Sequence, residues 1–76
     1  MYAIKWKKNP EILETHASWD NAVKSLPKRL PADKRHMSLM KGDTQTRCDA
    51  MECVPLYAIL NNDGTIETYL TIHRIP

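Results

Sequence analysis

The sequence predicts a small α+β domain: a single-layer antiparallel sheet packed against one main helix, with an irregular or short-helical middle segment. Three observations carry that prediction. Residues 54–75 hold two runs rich in β-branched and aromatic side chains, joined by Asn61-Asn62-Asp63-Gly64, the pattern of a β-hairpin. Residues 1–8 alternate apolar with polar, the pattern of a half-buried strand. Trp19, Ala22, Val23 and Leu26 recur at the spacing of one helical stripe. Seventy-six residues allow one domain, 1–76, with one modest core near the lower size for unaided folding.

The N-terminal strand places Tyr2, Ile4 and Trp6 on one face and Ala3, Lys5 and Lys7 on the other. It is expected to pair with the hairpin, because two strands alone are marginal. At a sheet edge its lysines would discourage aggregation. Asn9-Pro10-Glu11 then offers an N-cap, a proline at the first helical position and an acid in the first turn. A helix of about 17 residues is therefore expected from Pro10 to Leu26, with Ile12 and His16 extending the stripe. Ser18 offers a second start, which would make Glu11 to His16 a short strand turning back on the first and confine the helix to Trp19–Leu26. The longer helix is favoured. Pro27 ends the helix on either reading.

Between residues 27 and 53 the signals are weaker. Leu30-Pro31-Ala32-Asp33 suggests a short helix ending before Gly42, with Met37 and Met40 inward. Thr46-Arg47-Cys48-Asp49 matches a capping box with Asp in the acidic position, predicting a helical turn up to Cys53. In the hairpin, a type I turn over Asn61 to Gly64 with Gly64 in the left-handed region sets Leu60 opposite Ile66. The same register sets Ala58 against Thr68, Leu56 against Leu70 and Val54 against Ile72, so one face is nearly all apolar. The second face then carries Tyr57 across from Tyr69, Ile59 across from Glu67, and His73.

The net charge of +2 argues for no particular partner, but its distribution is uneven. Residues 24–47 hold seven Lys or Arg against Asp33 and Asp43, a local balance of +5. No run of about 18 apolar residues exists, so no membrane span or membrane partner is expected. The N-terminus lacks a signal-peptide core. Two cysteines without an export signal point to the reducing cytoplasm.

Few patterns suggest chemistry. Cys48 and Cys53, with four residues between them, could join His36 and His73 as a zinc set; packing of small apolar side chains is the alternative. A nucleophile–base system needs a Cys or Ser beside an oriented His. Cys48, His36 or His73, and Asp49 supply the residue types without any accompanying motif. Gly42 and Gly64 are the only glycines, which rules out a phosphate-binding glycine loop. Glu11 and Glu14 read as a solvated helix face. No cofactor and no enzymatic activity are therefore expected.

Two surfaces remain as binding candidates. The basic segment of Lys28, Arg29, Lys34, Arg35, His36, Lys41 and Arg47 suits phosphates or an acidic partner. It lacks the interleaved aromatics of a single-strand binder. The second hairpin face, with Tyr57, Ile59, Tyr69 and His73, has the composition of a protein-binding hot spot and could equally serve homodimerisation. The expected function is a small non-enzymatic regulator or inhibitor that binds a protein. Nucleic-acid binding through residues 24–47 is the first alternative, and a zinc-stabilised domain the second.

Overall fold

The computed structural model describes residues 1–9 and 11–76. Along the chain lie β1 (Tyr2–Trp6), β2 (Glu14–His16), α1 (Trp19–Ser25), a 3-10 turn (Leu26–Arg29), β3 (Arg35–Ser38), α2 (Thr44–Asp49), β4 (Val54–Leu60) and β5 (Ile66–Arg74). The domain is α+β, as the sequence predicts. The described residues form one five-stranded sheet in the order β2-β1-β5-β4-β3, with every neighbour antiparallel. Both helices contribute to one buried cluster. Ala22, Leu26 and Cys48 meet Ile4, Val54, Leu56, Leu70 and Ile72 from the sheet, with Trp19, Tyr2 and Trp6 packed at the margin.

The sheet has five strands where about three were expected, because two segments expected to be helical pair with it. Residues 14–16 run back along β1, with Tyr2 opposite His16 and Ile4 opposite Glu14. The expected helix from Pro10 is thus replaced by the short strand and the later start. Pro10 itself lies outside the described residues. The Asn9 signal serves a turn instead, its side-chain oxygen accepting from the Glu11 N–H at 2.9 Å. Ser18 caps α1 by accepting from the Asn21 N–H at 3.2 Å. Pairing both edges of β1 outweighs a local helix preference, and it also moves the lysine-bearing strand off the sheet edge. Leu26 follows α1 as its C-cap, just before Pro27.

The second segment is β3, which replaces the helix expected after Leu30. Arg35 pairs with Leu60 and Ser38 with Tyr57, and the Leu39 N–H extends the ladder to the Leu56 carbonyl at 2.8 Å. Met37, expected inward, is exposed on this edge strand. The capping box is likewise unused: α2 starts at Thr44, so Thr46 lies inside the helix. Its end is a Schellman motif, with Glu52 N–H bonded to the Arg47 carbonyl and Met51 N–H to that of Cys48. Met51 takes the left-handed position at φ 66°, where glycine is usual.

The hairpin turn forms as expected. Gly64 N–H reaches the Asn61 carbonyl at 2.9 Å, Gly64 has φ 86°, and Leu60 faces Ile66. Val54 faces Ile72, also as expected, but the register between these ends is shifted. Leu56 in β4 and Glu67 in β5 each lack a cross-strand partner, so two bulges cancel each other and slide Tyr57 to Ile59 by one position. Tyr57 therefore opposes Leu70 and packs on the helix-bearing face, while Tyr69 opposes Ala58 on the other.

Candidate functional site

Alternate positions of β1 and β5 point away from the helices, and no helix of the described residues packs against them. Lys5 pairs with Thr71 and Ala3 with His73 in the β1–β5 ladder, and the Lys7 N–H donates to the Tyr69 carbonyl at 2.9 Å just beyond it. Tyr69 is half-buried, with the Lys7 ammonium 4.9 Å from its ring centre, a cation–π contact at a partly wet site. Toward the other end of this face, His73 Nε2 lies 3.1 Å from the Thr71 hydroxyl and 3.5 Å from Cys53 Sγ. Thr71 donates its one hydroxyl proton to the Lys5 carbonyl at 3.1 Å, so it accepts from His73 Nε2–H. Burial, with Lys5 nearby, holds the His73 pKa below its ordinary value and keeps the ring neutral at neutral pH.

The structure breaks up the expected tyrosine surface. Tyr69 and His73 share the open face. Tyr57 lies across the sheet, its ring edge-on to His36 at 6.1 Å. Ile59, expected as a contact residue, is 2% exposed and has no surface to offer a partner. The bulge at Leu56 is the cause, since a one-residue shift moves every following side chain to the opposite face.

The basic segment is also divided. Arg29 donates to Glu14, Lys34 to Glu67 and Arg47 to Glu52, so three of its cations neutralise carboxylates of the domain itself. Its members sit on the 3-10 turn, the loop after it, β3, the segment leading into α2, and α2 itself. Lys28, Arg35 and Lys41 make no ion pair among the described residues. Glu14 joins β2 to the 3-10 turn, and its hydrogen bonds with His16 and Arg29 hold its carboxyl pKa at about 2.

Of the four side chains considered for zinc, Cys53 and His73 come together. Cys48 is fully buried in the core, where burial pushes its thiol pKa up, and His36 lies on the β3 edge. Among the described residues no group of three or more His, Cys, Asp or Glu side chains converges. Among the described residues no helix is long and apolar enough to cross a membrane. The residues that sequence reasoning passed over are Lys5, Lys7 and Lys8. The alternation of the first eight residues already put Lys5 and Lys7 opposite the core face, but their meeting with Tyr69 depends on β1 lying beside β5. No protein-family model, curated protein or solved structure matches the chain.

Proposed function

We propose that this chain is a non-enzymatic binding domain that regulates or inhibits a protein partner through the sheet face opposite its helices. The observation that carries this reading is a half-buried tyrosine, Tyr69, with the Lys7 ammonium over its ring, on the sheet face opposite the cluster to which both helices of the described residues contribute. Such a surface combines a rigid aromatic anchor with a polar, positively charged rim, the division found at protein-binding hot spots. The partner it suits presents an apolar contact bordered by acidic groups.

The test is affinity capture with wild type and with a Tyr69→Ala, His73→Ala double variant. Both chains should give the same far-ultraviolet circular dichroism, and the variant should lose the partner that wild type retains. Equal retention by both would remove the reading.

Nucleic-acid binding is the second reading, favoured by the coincidence of Tyr69 with Lys5 and Lys7 on one open sheet face rather than by residues 24–47. It predicts binding to labelled duplex DNA or structured RNA that falls steeply between about 50 and 200 mM salt.

A further inference from the structure

Strand β5 outruns its neighbour. The β1 ladder ends where Trp6 faces Leu70, and the last bond beyond it joins the Lys7 N–H to the Tyr69 carbonyl. The chain then turns away, the Asn9 N–H closing on the Trp6 carbonyl at 3.1 Å. Residues 66–68 of β5 thus have β4 on one side and no strand of the described residues on the other. A cavity of about 470 Å³ lies here, lined by Lys7, Lys8, Ile66, Glu67, Thr68 and Tyr69. That volume is within the range of ligand sites.

The lining has a definite chemistry. Lys7 and Lys8 are exposed and make no ion pair among the described residues. Glu67, the one acid in the lining, is held by Lys34, so the local balance is positive. Ile66 and the Tyr69 ring supply apolar surface. The bulge at Glu67 breaks the β4–β5 register alongside, and bulges of this kind recur where a strand is re-aimed beside a binding site.

We infer that this cavity is the docking slot for an extended acidic peptide segment of the protein partner, which adds to the free edge of β5 where β1 leaves off. An unpaired strand edge offers backbone donors and acceptors in a row, and an extended peptide satisfies them. Side chains two residues apart on that peptide share a face. On the face that Lys7 shares with Tyr69, carboxylates of the peptide would meet the Lys7 ammonium where it lies over the ring, with Lys8 and Ile66 bordering the same slot. The inference rests on the protein-binding reading above and specifies which end of the open face the partner's chain enters.

Fluorescence anisotropy with the intact protein tests it. The probes are a labelled eight-residue peptide alternating Glu and Val, the same peptide with alternate backbone nitrogens methylated, its Glu→Lys counterpart, and a single-stranded oligonucleotide. The parent peptide should bind saturably. Methylation and charge reversal should each weaken binding at least about tenfold, as should the protein variant Lys7→Ala, Lys8→Ala. Asp20→Ala, exposed on α1 across the sheet, should leave the affinity within about twofold.

Equal binding of the methylated peptide overturns strand addition, and equal binding by the lysine variant overturns the slot. The absence of saturable peptide binding up to about 1 mM, or tighter binding of the oligonucleotide, overturns it as well. If a captured partner depends on Tyr69 and His73 but not on Lys7 and Lys8, the slot fails and the broader reading stands. If neither pair matters, both fail.

Discussion

The two halves of β5 have the same kind of sequence and opposite situations. Leu70 to Arg74 runs between β1 and β4, with Leu70, Thr71 and Ile72 fully buried. Ile66 to Tyr69 has a strand partner on one side only, and Ile66 is 47% exposed. The first half holds the fold together, since Ile72 and Leu70 anchor the cluster that both helices cover. The second half is left as surface. Stability and binding are thus assigned to consecutive stretches of one strand, and the division falls where β1 ends.

The largest expected effect comes from breaking the buried half. Ile72→Ala should cost about 2–5 kcal/mol, by lost transfer energy plus the cavity left behind. Ile66→Ala should cost less than about 0.5 kcal/mol, because its side chain already meets water. Urea unfolding of both variants measures the contrast, and similar losses would erase it.

Next comes the edge that shields the buried half, where Glu14 ties β2 to Arg29 and His16. Its carboxyl is lowered from 4.5 to about 2 in the folded chain. A group depressed on folding stabilises the protein above its unfolded pKa, and that contribution fades as pH falls toward the folded value. The shift sets a ceiling of about 3 kcal/mol, and partial exposure reduces it to about 1–2 kcal/mol. Glu14→Gln should show that loss at neutral pH, and its stability should converge on wild type between about pH 4.5 and 2.

Smaller effects sharpen the boundary at either end. Gly64→Ala should cost about 1 kcal/mol, because φ 86° strains any residue with a Cβ although the space around it is open. Met51→Gly should stabilise by about 0.5 kcal/mol, since Met51 occupies the left-handed position that ends α2. Thermal melts of both variants read these signs directly.

Much of the buried half was legible from local pattern. Tyr2, Ile4 and Trp6 at alternate positions, and Trp19, Ala22, Val23 and Leu26 at helical spacing, all lie in or against the core. The binding half was legible only as composition. Tyr69 and His73 were marked as surface, whereas Tyr57 and Ile59 fell on the wrong side. Nothing in an alternating run announces a bulge at Leu56, because an inserted residue changes pairing without changing residue type. Arg35 to Ser38 has no clear alternation either, and it becomes a strand because β4 offers it an edge.

The sequence by itself determined the α+β class, the N-terminal strand, the stripe of α1 and the Gly64 turn. Each rests on interactions within a few residues, where periodicity and allowed backbone angles suffice. Only the tertiary structure decided that residues 14–16 and 35–38 are strands, that two bulges offset each other, and that Lys7 comes to lie over Tyr69. Those outcomes depend on which backbone edges remain unpaired once the core has closed, a condition that links residues more than 60 positions apart.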